Sequence, residues 1–154
     1  MRKTSVMLAI VTAGLAAACG SGEKAPAADS AAMAPAAAPA VEPAVTIASP
    51  ADGDSVTLPF TLKLEATGVE VIAATGTSEP GKGHHHLMID GDAPADTAPL
   101  PAMPVVIHMG TGATERVMDS LTPGAHRIIA IFAGGDHVPM TNVKRDTITV
   151  IVKK

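Results

Sequence analysis

Apolar and polar residues alternate with a period of two through the C-terminal two-thirds of the chain, and no stretch there carries apolar residues at helical spacing. In Phe60-Thr61-Leu62-Lys63-Leu64-Glu65-Ala66, residues Phe60, Leu62, Leu64 and Ala66 fall on one face, which predicts a half-buried strand. The same pattern predicts strands near 45–49, 55–58, 69–74, 84–90, 104–109, 114–119, 125–133 and 145–153. Turn chemistry separates them, at Ser49-Pro50-Ala51-Asp52-Gly53, Glu79-Pro80-Gly81, Thr122-Pro123-Gly124 and Gly134-Gly135-Asp136. Short strands at this spacing predict an all-β fold, an immunoglobulin-like two-sheet β-sandwich of 7–9 strands. The segment from Asp90 to Pro104, rich in Pro, Ala and Asp, reads as an irregular, exposed loop.

The pattern upstream differs. Residues 1–18 combine a basic start (Arg2, Lys3), an apolar stretch from Val6 to Ala18 and small residues before a cysteine, the pattern of a secretory signal peptide. The apolar stretch is shorter than the ~20 residues a membrane-spanning helix needs. Leu15-Ala16-Ala17-Ala18-Cys19 resembles a bacterial lipobox, although Ala16 stands where leucine is usual. Cys19 is the only cysteine, so it forms no disulfide within the chain and is free to carry a lipid. Residues 19–44 then read as a lipid-anchored, disordered tether rich in alanine and proline, too poor in large apolar side chains to offset the entropy of ordering. Gly20 and Ser21 stand where aspartate commonly retains such proteins at the inner membrane. The expectation is a cell-envelope protein on the outer membrane, facing the periplasm, with one compact domain over residues 45–154.

Charge narrows the functions open to that domain. Removal of Arg2 and Lys3 takes the formal net charge from −4 to −6. An acidic domain with no basic stripe, whose aromatic residues are Phe60 and Phe132, is unsuited to nucleic acid or to stacking on sugars. No G-x-S-x-G elbow, H-E-x-x-H helix, phosphate loop or dinucleotide fingerprint occurs. The turn at Asp90-Gly91-Asp92 supplies too few oxygens in register for calcium.

All six histidines fall in the domain, at 84, 85, 86, 108, 126 and 137. On a strand, His84 and His86 share a face about 6.5–7 Å apart, with Met88 and Asp90 continuing it, because each residue rises about 3.3 Å. His85 lies with Leu87 and Ile89, the place for a hydrogen-bonded core histidine. Two imidazoles at this spacing can share one ion if a third ligand comes from elsewhere. His108, His126 and His137 are the candidates. Imidazole with thioether suits copper and imidazole with carboxylate suits zinc. Met88, Met103, Met109, Met118 and Met140 lie among these strands. Methionine is a common core filler, so most of the five are expected to be packing, and Met88 and Met140, near histidines in sequence, are the ones to test. The plainer alternatives are histidines that fix loops through hydrogen bonds, or a solvated, pH-responsive edge.

Gly83-His84-His85-His86-Leu87-Met88-Ile89-Asp90, Ile107-His108-Met109-Gly110-Thr111-Gly112-Ala113-Thr114-Glu115, Leu121-Thr122-Pro123-Gly124-Ala125-His126 and Asp136-His137-Val138-Pro139 together resemble an uncharacterised bacterial family, domain of unknown function 4399. The resemblance covers residues 46–152. In that family the second histidine segment often reads His-x-His and the last often carries another histidine after its proline. Val106 and Met140 occupy those places here, so the resemblance implies that Met140 either replaces a ligand, favouring copper(I), or marks a position that was never a ligand.

These readings combine into one expectation: a lipid-anchored envelope protein whose sandwich binds copper or zinc through His84, His86 and His108, with His126 or His137, and Met140 as a further candidate. Its role is then to hold or hand over metal, without catalysis. The alternative is an adhesive or scaffolding module that presents loops to an envelope protein partner. A metal-dependent hydrolase or redox enzyme would need an open coordination position and a general base, for which no clear candidate stands in the sequence.

Overall fold

The computed structural model describes residues 41–93 and 95–154. The expected signal peptide, Cys19 and the tether up to residue 40 lie outside the described residues. Backbone alternation is realised as nine strands: β1 (Ala44–Ser49), β2 (Ser55–Val56), β3 (Phe60–Thr67), β4 (Glu70–Val71), β5 (Lys82–Ile89), β6 (Val106–His108), β7 (Glu115–Met118), β8 (Gly124–Ala133) and β9 (Asp146–Val152). They form a three-stranded sheet, β1-β3-β7, and a six-stranded sheet, β2-β9-β8-β5-β4, with β6 also paired to β5. Taking the six principal strands in chain order, the first, second and fourth make one sheet and the third, fifth and sixth the other. That is the partition of strands A, B and E against C, F and G in an immunoglobulin-like sandwich. The fold class expected from the alternation is the one observed.

Period-two patterning explains the packing. β3 buries Leu62 and Leu64 and exposes Thr61, Lys63 and Glu65; β9 buries Ile148, Val150 and Val152 and exposes the residues between. Between the sheets Leu62, Leu64, Ile148 and Val150 meet Val45, Ile47, Leu87, Ile89, Ile128, Ala130 and Phe132 in one core. β5 and β8 depart from half-burial, since β5 is buried from Gly83 to Ile89 and β8 from Ile128 to Ala133. The reason is a second, smaller core on the outer face of the large sheet, where Met88, Ile129, Ile131 and Ala133 pack with Leu100.

Leu100 corrects the reading of the loop after β5. Residues 95–99 and 101–105 run irregularly and largely exposed, as expected. Leu100 itself is 8% exposed and its N–H donates to the His137 carbonyl at 2.9 Å, so the segment is pinned as a cover over the β5–β8 face. The cover protects one end of a face that also carries the histidines.

The two faces of β9 give the test of this packing. Ile148→Ala, in the central core, is expected to cost about 2–5 kcal/mol. Ile151→Ala, at a site 45% exposed, is expected to cost no more than about 1 kcal/mol. Urea denaturation of the two variants checks both values.

Candidate metal centre

Four histidines from three elements meet at one end of the outer face of the large sheet. β5 contributes two, because alternation turns His84 and His86 outward while His85 turns inward. The antiparallel register sets His84 opposite Ala133 and His86 opposite Ile131 on β8. On the other side of β5, His86 faces His108, the last residue of β6. The fourth, His137, lies in the turn after β8, where Gly134 accepts the His137 N–H at 2.9 Å. His137 adopts a left-handed backbone conformation, φ 68°. A histidine in that region costs of order 1 kcal/mol or more, and such strain gathers at functional positions. Room for His108 depends on Gly110, since a Cβ there would overlap the His108 ring.

The Nε2 atoms converge. His86 Nε2 is 3.0 Å from His84 Nε2, His108 Nε2 is 3.1 Å from His84 Nε2, and His137 Nε2 is 3.1 Å from His108 Nε2. Ligand atoms of His84, His108 and His137 all lie within 4.8 Å of one another. His86 is the looser fourth member: its ring centroid is 4.8 Å from that of His84 but 5.7 Å from that of His137. Four nitrogens at about 2.0–2.1 Å from one tetrahedral ion would stand about 3.3 Å apart, close to the spacing seen here.

Hydrogen bonding alone does not account for this arrangement. An imidazole nitrogen has a single in-plane site, either a lone pair or an N–H. His84 Nε2 touches two other Nε2 atoms and His108 Nε2 touches two, so neither satisfies both contacts as a donor or as an acceptor. A cation between four lone pairs satisfies all of them. Were Nε2 a ligand, the proton would reside on Nδ1. The Nδ1 atoms of His84 and His86 are buried with no partner among the described residues. Each such donor costs about 1–3 kcal/mol, so the cluster stands at the expense of the fold that carries it.

Protonation is also suppressed. Burial, then the neighbouring imidazoles, push His84 down to about 4 and His86 down to about 3, with Asp136 acting weakly in the opposite sense on His84. His108 is lowered for the same two reasons. These three are neutral near pH 7 and present lone pairs. The cluster is also accessible: His86, His108 and His137 line a cavity of about 390 Å³ whose remaining wall is Pro99-Leu100-Pro101-Ala102-Met103 and Val106.

Three sequence expectations are corrected. His126 does not join the cluster. Even-numbered residues of β8 face the main core, and His126 lies seven residues along that strand from Ala133, about 23 Å away at strand rise. There its Nδ1–H donates to Asp90 Oδ2 at 2.6 Å and its Nε2–H to the Thr122 carbonyl at 2.7 Å. Met140 packs against the main core between the sheets, whereas the cluster lies on the outer face of the large sheet. His85 does lie in that core, edge-on to Phe132 with centroids 5.5 Å apart, but it is not hydrogen-bonded, for neither ring nitrogen has a partner among the described residues. Burial accordingly lowers its pKa to about 4. Sequence reasoning passed over Gly110, whose only signal was a glycine two residues after a histidine.

The profile of domain of unknown function 4399 (DUF4399) matches residues 62–153. The chain belongs to this family. The matched segment contains every histidine of the cluster. A search of curated proteins finds no significant match. Among solved structures, an engineered protein aligns at TM-score 0.41 and 18% identity, over 73% of this chain and 20% of that one. Fibronectin(III)-like modules of Clostridium thermocellum CbhA align at TM-score 0.42 and 17% identity, over 71% of this chain and 96% of theirs. The chain thus spans a fifth of the engineered protein it matches.

The clasp at His126 gives a pH prediction. Burial works against its charge, but the bonds to Asp90 and Thr122, both acceptors, raise its pKa above 6.5. Burial likewise opposes the Asp90 charge, while bonds from His126 and the Arg127 N–H bring that pKa below 3.8. A raised folded-state histidine pKa contributes stability that is complete below 6.5 and fades as pH rises through the folded value. The lowered Asp90 value contributes above 3.8 and fades as pH falls through it. The melting-temperature gap between the chain and its His126→Gln variant is therefore expected to be widest between 3.8 and 6.5 and to narrow on either side.

Proposed function

We propose that this protein is an exported lipoprotein, held through Cys19 on the periplasmic face of the outer membrane, whose sandwich domain binds one copper or zinc ion through His84, His86, His108 and His137. The convergence of four Nε2 atoms at 3.0–3.1 Å contacts carries this reading, because single-site nitrogens so placed need a shared cation. The open cavity beside them suits an ion that enters and leaves, and so a protein that holds metal and hands it on. Lipidation rests on the signal-like N-terminus and the lone Cys19. The alanine- and proline-rich tether lets the anchored domain reach a partner in the envelope.

The test begins with the full chain in bacterial cells. It is expected in the membrane fraction, and Cys19→Ser is expected to release it as soluble protein. Titration of that released protein with copper(I), under anaerobic conditions, and with zinc(II) is expected to show one site of micromolar or tighter affinity. His84→Ala and His108→Ala, at the centre of the contacts, are expected to abolish it, and Gly110→Ala to weaken it by displacing His108. His126→Gln is expected to leave it intact. No binding in the parent protein, or binding indifferent to His84 and His108, would sink the metal reading.

A further inference from the structure

The domain has five methionines, and four of them are packed away. Met88 is 2% exposed and its sulfur lies against Gly91. Met109 and Met118 are each 4% exposed in the main core, and Met140 packs against the same core. Met103 differs: it is 44% exposed, on the loop that covers the outer face. An apolar side chain at a loop tip is out of place for packing. It lines the same cavity as His86, His108 and His137.

The loop's construction holds it there. Leu100 is buried in the outer core and its N–H bonds the His137 carbonyl, which ties the loop to the turn that bears a cluster histidine. On the other side of the tip, Val106 N–H donates to the Met103 carbonyl at 2.9 Å, and Met103 N–H donates to the Pro101 carbonyl at 3.0 Å. Pro101 and Pro104 restrict the backbone between these anchors, and Pro99 does so just before them. A restrained backbone thus places an unbranched thioether with three rotatable bonds in the wall of the cavity that His86, His108 and His137 also line.

Thioether sulfur is a soft donor, favourable to copper(I) and of little use to zinc(II), for which imidazole alone suffices. We infer that Met103 is a thioether ligand that closes the site over copper(I), joining the histidines from the cavity side and making the centre prefer copper(I) to zinc(II). The inference rests on the metal reading above. The loosest imidazole, His86, is the donor that the sulfur would supplement. The ligand is reached from solvent, so the thioether is also the group an incoming acceptor of the ion would displace.

Met103→Leu in the Cys19→Ser chain removes the sulfur and keeps an apolar side chain of similar size, and Cys19→Ser removes the one competing thiol. Copper(I) affinity is read anaerobically by competition with a chromogenic chelator, and zinc(II) affinity by competition with a fluorescent one. The expected result is copper(I) binding weakened at least about tenfold, the lower end of what losing even an outer partner of a ligand costs, with zinc(II) binding unchanged. X-ray absorption at the copper edge should show a sulfur neighbour in the parent and none in Met103→Leu. Unchanged copper(I) affinity with no sulfur neighbour overturns the inference while leaving the histidine site standing. Equal loss of both metals also overturns it, since that would mark Met103 as a structural part of the cover. A parent that binds neither metal fails the histidine reading itself, and this one with it.

Discussion

The pairing of β5 with β8 is the interaction on which everything else depends. Six residue pairs, from His84 opposite Ala133 to Ile89 opposite Ile128, hold the register. Side chains alternate across a strand, so a slip of one residue would turn His84 and His86 into the hydrophobic core and His85 out of it. Burial on both faces makes such a slip costly: Leu87, Ile128 and Phe132 seal the inner side, and Met88, Ile129 and Ile131 the outer. Gly83 contributes as well, because a Cβ there would collide with the Ala133 carbonyl of the neighbouring strand. This doubly buried strand pair thus fixes the two histidines that the rest of the site is built around.

What is built around them is costly to the fold. Buried imidazoles lack partners at Nδ1 among the described residues, His137 sits in a left-handed conformation, and three rings are held neutral against their ordinary tendency to protonate near pH 6.5. None of these features helps the sandwich to fold. They make sense together if a cation takes up the four Nε2 lone pairs, because ion binding to the native state alone adds stability by mass action. The His126 clasp at the far end of β8 is the opposite case. There each ring nitrogen meets an acceptor, the charge is answered by Asp90, and the histidine serves the structure.

Much of this was legible in the sequence, for reasons that can be traced to particular residues. Period two in Phe60–Ala66 and in β9 exposed the sandwich because both strands have one wet face. His84 and His86 could be paired because strand geometry is local. His108 and His137 could be nominated but not placed, since their meeting with β5 depends on the β5–β6 register and on the turn at Gly134–His137. Met140 was misplaced by its nearness in sequence to His137, and His126 because it was nominated only as a remaining histidine, with no regard to the face it occupies. Counting in twos from Phe132 along β8 would have put His126 on the inner face. Leu100 and Met103 were hidden because a loop's composition reports that it is irregular without reporting what it covers.

The central claim is that His84, His86, His108 and His137 share one ion. The most direct measurement is a crystal structure of the metal-loaded protein with anomalous diffraction recorded at the absorption edge of the added copper or zinc. The account predicts a single anomalous peak among the four Nε2 atoms, about 2.0–2.1 Å from each bound nitrogen. A peak elsewhere, or well-ordered histidines with no peak between them at saturating metal, would contradict it.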